Sequence, residues 1–308
     1  MSSTSLATPL VSVVIATYRR PLAIVRSVAT ALAQTMADLE ILVVVERDDI
    51  ETVTALAAIT DSRLRHVVNP EKKGPAAARD FGAQKSLGHW LAFLDDDDEW
   101  LPTKLEKQLA AMPADGRAIG MTLSRVVGSQ GVVVYPTLPY DGSEPIDEWL
   151  FGRRSWLKGG ESMLQTSSLI MPRTLFDEVR FGQSRHEEWE LVIRAVKQHG
   201  YTLITVREPL VVYYAGNPYP WEPSALWVDS VRDLLSPRAY SGFCLTVATQ
   251  GLAPRERNRA TWIFLRKALR HGKPTAKQLF AFGMIWLFPD HVRHRIRAIL
   301  GRGRTARR

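Results

Sequence analysis

Cysteine is almost absent from this 308-residue chain: there is one, Cys244. No disulfide within the chain and no cysteine-rich metal cluster can form. That usage fits a reducing compartment. Long apolar runs are also missing, and none reaches the ~18 residues from which a membrane-spanning helix is read. The opening residues, MSSTSLATPL, hold neither a basic nor an apolar stretch. No secretory leader is expected, and the expected location is the cytoplasm. There is no internal repeat and no low-complexity block.

What is present is an ordinary globular composition with 45% hydrophobic residues, enough for a sizeable core. The net charge of +8 is unevenly spread. From Leu252 to Arg308 there are 15 Lys+Arg against 2 Asp+Glu, and before that 25 against 30. A mildly acidic body therefore carries a strongly basic C-terminal region with its own surface to meet.

The first part alternates short apolar runs with helical periodicity. Runs at 10–16, 39–45, 65–68 and 89–94 read as strands. Helical patterns follow at 22–32, 50–59 and 75–87. Repeated strand–helix units with near-continuous apolar strands predict a parallel sheet covered on both faces. Beyond Met112 the pattern changes. Strands at 121–127 and 131–135 read as a hairpin, with another at 169–171. A helix is expected over 187–197, and one or two strands over 202–214, split by Pro209. Asn217–Pro223, rich in proline, reads as a linker, and everything after Ala225 reads as helical.

The most informative stretch is His89 to Leu105. An apolar strand runs into four consecutive aspartates, Asp95 to Asp98. Pro102 is expected at the first position of the next helix, with Leu105, Leu109 and Met112 on its inner face. The carboxylates then lie at the carboxyl end of a strand, where open α/β sheets bind ligands. Like charges this close repel, and a divalent cation would turn repulsion into ligation by hard oxygens.

Three other strand ends are polar: Thr17-Tyr18-Arg19-Arg20-Pro21, Glu46-Arg47-Asp48-Asp49, and Asn69 to Pro75. In a parallel sheet they share one edge with the aspartates. A nucleoside diphosphate needs such an edge: acceptors for the base, carboxylates for the ribose, a cation for the pyrophosphate and a close-approaching glycine.

At this point the chain resembles family 2 glycosyltransferases of the GT-A fold. VSVVIATYRRP resembles their opening strand and turn. EILVVVERDDIET resembles the second strand with its acidic turn. NPEKKGPAAARDFGAQKSLGHWLAFLDDDDEWLPTKLEKQL resembles the most diagnostic block, and RHEEWELVIRAVKQHG the later acceptor-side helix. The resemblance covers about 10–215. It implies an α/β GT-A domain over 8–216, with a nucleotide-binding half at 8–112 and an acceptor half at 113–216. A linker at 217–224, a helical region at 225–300 and a disordered basic tail at 301–308 complete the expected organisation.

The resemblance also implies roles. Thr17, Tyr18 and Arg19 would line the nucleotide side, and Glu46 would take the place of the base-binding aspartate, with Asp48 beside it. Lys73, Gly74 and Arg79 would run along the nucleotide edge. Asp95 and Asp97 match the ends of the family's DXD, Asp97 as the ligand of Mg²⁺ or Mn²⁺ and Asp95 nearer the ribose and metal. Asp96 replaces Asp95 if the turn is shifted by one. Glu188 matches the catalytic base of an inverting transfer from a UDP-linked sugar to a saccharide or lipid-linked acceptor, with Glu187 and Glu190 close enough to be confused with it. Glu46 and Glu188 stand where aspartate is usual, and Asp80 where asparagine is usual.

Two rival readings remain. A sugar nucleotidyltransferase would open with a glycine-rich loop after the first strand, and ATYRRP has no glycine. A non-catalytic assembly protein of the same fold is kept open by the two Asp-to-Glu exchanges. For the C-terminal region, Leu279–Phe288 is apolar nearly all round and too short to span a bilayer. An apolar stripe of Val292, Ile296, Ile299 and Leu300 flanked by arginines follows. Docking on an anionic membrane and a helical cap over the body both fit. Nucleic acid is not an expected partner, since no reader motif accompanies the charge.

Overall fold

The computed structural model describes residues 8–70, 74–128, 131–157, 159, 161–182, 185–215, 220–250, 252, 257–288 and 292. They fall into two compact units. One holds the chain up to Asp141 together with Leu164–Ala215, the other Gly142–Met163 together with the chain after Ala215. The segment 142–163, expected within the acceptor half, thus belongs with the C-terminal helices.

In the first unit, β1 (Val11–Thr17), β2 (Leu39–Glu46), β3 (Leu64–Asn69) and β4 (Trp90–Asp95) alternate with α1 (Pro21–Leu32), α2 (Ile50–Ala57) and α3 (Pro75–Lys85). Pro21 and Pro75 start their helices, where a missing N–H costs nothing. The four strands lie in the order β3-β2-β1-β4 and are parallel. Val13, Ile15, Ile41 and Val43 face a core shared with Ile24, Val28, Leu56 and Leu105. Each such buried side chain contributes about 1.5–3 kcal/mol. On the other face α3 presses so close that a Cβ at Gly82 would run into Val14 and Val44. Phe93, Phe176 and Phe181 pack there as well.

Beyond β4 the sheet is mixed. β5 (Glu99–Trp100), β6 (Ala118–Gly128), β7 (Gly131–Tyr135), β8 (Ile170–Pro172) and β9 (Thr202–Tyr214) complete the nine strands found among the described residues. β6 and β7 form the expected antiparallel hairpin. β9 is one strand and not two. Its register against β6 slips where Pro209 arrives, and the bulge accommodates a residue with no N–H to give.

Pro102 is not the first helical residue. α4 spans Lys104–Ala111, and β5 intervenes because Trp100 is buried. Its indole Nε1–H donates to the Ser167 carbonyl at 2.8 Å, and β5 pairs with β9 at Val211 and Val212. α6 (Leu175–Glu178) and α7 (Glu187–His199) lie between β8 and β9.

The second unit is helical: α5 (Ile146–Phe151), α8 (Glu222–Ser230), α9 (Pro237–Gly242), α10 (Arg257–His271) and α11 (Ala276–Leu287), with a π-helical turn at Phe243–Val247. Residues 222–224, expected in the linker, are helical, since Pro223 sits in the first turn where proline is tolerated. Phe151, Trp227 and Phe243 form its aromatic centre. Among the described residues no helix is long and apolar enough to cross a membrane. The expected tail at 301–308 lies outside them.

Candidate active site

The parallel register brings the polar strand ends level. Ala16 pairs with Asp95, Thr17 with Val45, and Glu46 with Asn69. The chain runs outward through β2 and β3, then returns to the far side of β1 as β4. The crevice between β1 and β4 is the topological switch point of the sheet, where such folds take ligands.

The four aspartates part company there. Asp95 accepts from Arg79 Nη2 at 2.5 Å, and its own N–H donates to Ser167 Oγ at 3.0 Å. Asp96 is buried, accepting from Thr17 Oγ1 at 2.8 Å and Arg20 Nη1 at 2.9 Å. Burial nevertheless holds its pKa above the usual carboxylate range. Asp97 is half exposed and pairs with the same Arg20 nitrogen at 2.6 Å. Asp98 is buried and accepts from Gln165 Nε2 and from Ser167 Oγ, the latter at 2.6 Å. Desolvation, with Asp95 and Asp97 nearby, pushes its pKa up to about 8. A carboxyl that stays protonated there is a strut beneath the turn: Ser167 links it to the Asp95 backbone.

That strut has a measurable signature. Between the ordinary carboxylate pKa and about 8, folded Asp98 keeps a proton that the unfolded chain has lost. Its contribution to stability therefore falls as pH rises through that window. Asn has no proton to lose and can accept the same two hydrogen bonds. The melting temperature of Asp98→Asn relative to wild type should climb steadily from about pH 4 to about pH 8. A difference that stays constant across those pH values would mean that Asp98 is already ionised in the folded protein.

Arg79 is buried in α3 and spans two elements. Nη2 holds Asp95, and Nη1 holds Glu187 Oε1 at 2.7 Å. Burial alone would favour its neutral form, but the two carboxylates outweigh it and keep the guanidinium charged. Glu188, next in α7, is partly accessible. Desolvation by its surroundings and the adjacent Glu187 push its carboxyl to about 8, with Arg79 and Asp95 also within electrostatic reach. His186 precedes the helix in a left-handed conformation, φ +66°. Its buried ring stacks on Trp189 at 4.3 Å, and burial lowers its pKa to about 3, so it is neutral near pH 7.

Glu46 is buried at the end of β2. One oxygen accepts from Asn69 Nδ2 at 3.3 Å, and the other, Oε2, has no hydrogen-bond partner among the described residues. A buried acceptor left open at a sheet edge suits a donor arriving with a ligand. Thr17 is buried at the end of β1, and Tyr18 lies beneath the Arg19 guanidinium, 5.1 Å from its carbon to the ring centre. Arg19 has φ +54°, and its N–H donates to Asp49. Asp48 is exposed on the turn, whereas Asp49 caps α2 through the Thr52 N–H. Gly74 has φ +87° at the start of α3, a conformation that favours glycine. Lys73 lies outside the described residues. Asp80 does not face the crevice: it is buried and accepts from the Phe181 N–H at 3.1 Å, with burial pushing its pKa to about 6.

The structure thus gathers Thr17, Arg79, Asp95, Asp96 and Asp97, with Glu188 beside the Arg79–Glu187 pair. Sequence reasoning passed over Arg20, Gln165, Ser167 and the pairing of Glu187. Arg20 was the findable one, since a second arginine in TYRRP already faced an acidic strand end. The serine and glutamine come from a segment with no periodic signal.

A sheet whose parallel strands end in a switch-point crevice lined by carboxylates and arginines is the architecture of the GT-A fold. The profile described as Glycosyl transferase family 2 matches residues 12–179, and the chain belongs to that family. The amylovoran biosynthesis glycosyltransferase AmsB of Erwinia amylovora is 26% identical over 246 residues, covering 74% of this chain and 79% of that protein. The Escherichia coli protein WfgD, a UDP-Glc:alpha-D-GlcNAc-diphosphoundecaprenol beta-1,3-glucosyltransferase, is 35% identical over 103 residues, covering 33% of this chain and 41% of WfgD. Residues 1–349 of S. aureus TarS in complex with UDP-GlcNAc superpose with a TM-score of 0.55 at 15% identity, covering 84% of this chain and 81% of that one. This likeness supports the GT-A fold.

Proposed function

We propose that the protein transfers a sugar, with inversion, from a UDP-linked donor to a hydroxyl of a lipid-linked saccharide, as a step in the synthesis of a cell-surface polysaccharide. The observation that carries the reading is the level edge formed by Thr17, Glu46 and Asp95–Asp97, with the partly accessible Glu188 beside the Arg79–Glu187 pair. Glu46 Oε2 would accept from the nucleobase, and Asp95 or Asp96 would hold the ribose. Glu188 would take the proton of the acceptor hydroxyl as the new bond forms, because a neutral hydroxyl is a poor nucleophile. A single base suffices for one in-line displacement. Arg20, on Asp96 and Asp97, would lie along the diphosphate, and Lys73 and Gly74 along the same edge. The names of AmsB and WfgD support polysaccharide assembly and a lipid-linked acceptor.

The residues present suit Mg²⁺ or Mn²⁺. Among the described residues no three His, Cys, Asp or Glu gather as a closed metal cage. Mg²⁺ is ordinarily held by one or two carboxylates plus substrate phosphates, and half-exposed Asp97 with Asp95 offers that set. Such an ion supplies positive charge to the leaving diphosphate. The basic C-terminal region would keep the enzyme on the anionic inner face of the membrane, near its acceptor.

Calorimetric titration with UDP, GDP and dTDP, each with and without Mn²⁺, tests the site. UDP should bind, Mn²⁺ should tighten it at least about tenfold, and Asp97→Ala should erase the Mn²⁺ effect. No binding of any nucleotide would overturn the reading.

A further inference from the structure

In the second unit, α10 and α11 both pack on the turn at Phe243–Val247. Their inner faces are conventional: Ala260, Phe264 and Ala268 on α10, Ala281, Phe282 and Ile285 on α11, all buried. Their outer faces are not. α11 exposes Leu279, Phe280, Trp286 and Leu287, the last 62% accessible, so it is apolar on both sides. Such a helix belongs inside a protein or against something apolar. α10 exposes Trp262 and Leu269, 57% and 59% accessible. Trp262 and Trp286 meet edge to face with centroids 5.9 Å apart, which joins the two outer faces into one patch.

The patch is not charge-free. Arg259, Arg266 and Arg270 are exposed on α10, at helical spacing with Trp262 and Leu269. Tryptophan, phenylalanine and leucine beside arginines is the composition of a surface that lies in a membrane interface. Indole rings prefer the boundary between headgroups and acyl chains, with the ring in apolar surroundings and the N–H hydrated. The arginine stems lie along apolar surface while their heads reach the phosphates. A second copy of the chain would bring the same positive charge against it, and protein interfaces are depleted in charge at their centres.

We propose that the joined outer face of α10 and α11 is a membrane-docking surface, inserting Trp262, Trp286 and Leu287 among the headgroups of an anionic lipid leaflet while Arg266 and Arg270 engage lipid phosphates. The purpose of docking rests on the lipid-linked acceptor proposed above; the surface chemistry does not. Every residue of this surface is among the described ones.

Flotation of the full chain with phosphatidylcholine vesicles, with and without phosphatidylglycerol, tests it. The wild type should float only with phosphatidylglycerol and release as salt rises. Trp262→Ser/Trp286→Ser should lower the bound fraction about tenfold or more, and Arg266→Glu/Arg270→Glu should do the same. Both variants should keep the wild-type helical circular dichroism and melting temperature, which shows that they fold. Wild-type flotation by the tryptophan variant would overturn the proposal, because the tail alone would then bind. So would a concentration-dependent dimer lost in that variant, because a second copy would then cover the patch. Flotation without any nucleotide binding would leave the docking surface standing and remove the transferase reading.

Discussion

Glu188→Gln should reduce kcat by about 10²–10⁴-fold while leaving UDP affinity near that of the wild type. The amide keeps the shape of the side chain and cannot take a proton. The pH dependence makes the expectation specific. Burial, and then the neighbouring Glu187, push the Glu188 carboxyl up to about 8. A base works only when deprotonated, so below that pH its active fraction falls about tenfold per unit. The kcat/KM of the wild type should rise with unit slope and level off above about pH 8, since kcat/KM reports the free enzyme. Glu187→Gln removes a negative charge beside Glu188 and should move the inflection to lower pH. A Glu188→Gln enzyme that keeps more than about a tenth of kcat, or a wild-type profile flat from pH 6 to 9, would exclude Glu188 as the base. The base would then have to be sought at Glu190 or in the substrate.

The contrast between Glu188 and Asp80 shows what a chain can and cannot disclose. The early strands were legible because buried parallel strands are continuous apolar runs, and β1, β2 and β4 are buried along nearly their whole length. The family resemblance then put Glu188 at the start of a helix that the structure contains, α7. Asp80 stands where asparagine is usual, on a helix whose rotation the residue pattern does not define. The side chain satisfies the Phe181 N–H, a contact made by a loop more than a hundred residues away. β5 was missed for a related reason. Two residues carry no periodicity, and what makes them a strand is the burial of Trp100 and a partner in β9. The membership of 142–163 in the helical unit was illegible on the same ground: Phe151 finds its aromatic partners Trp227 and Phe243 far along the chain. Residues whose role depends on long-range partners, such as Ser167 under Asp95, are those a sequence hides.

Arg79→Met should destabilise the protein by about 3 kcal/mol and abolish UDP binding. The guanidinium is buried, and its two terminal nitrogens hold Asp95 and Glu187 on different elements. Methionine has nearly the right length and no charge, so it leaves Asp95 and Glu187 in place without their cation. Both carboxylates are largely withdrawn from water, with side chains 26% and 13% accessible. Removing one partner of a buried charge group costs far more than the group contributes as a whole. Lysine should recover only part of the loss, since one ammonium cannot hold two carboxylates as a planar fork does. The discriminating measurement is a double-mutant cycle by urea unfolding. Glu187→Gln alone leaves Arg79 with Asp95. In the Arg79→Met background it removes a now-unpaired charge, so the second substitution should be less harmful there, or favourable, by about 1 kcal/mol or more. Additive effects, or an Arg79→Met protein within about 0.5 kcal/mol of wild type, would mean the pairs are solvent-screened ornaments of the surface. The crevice would then need another device to hold α7 beside the aspartate turn.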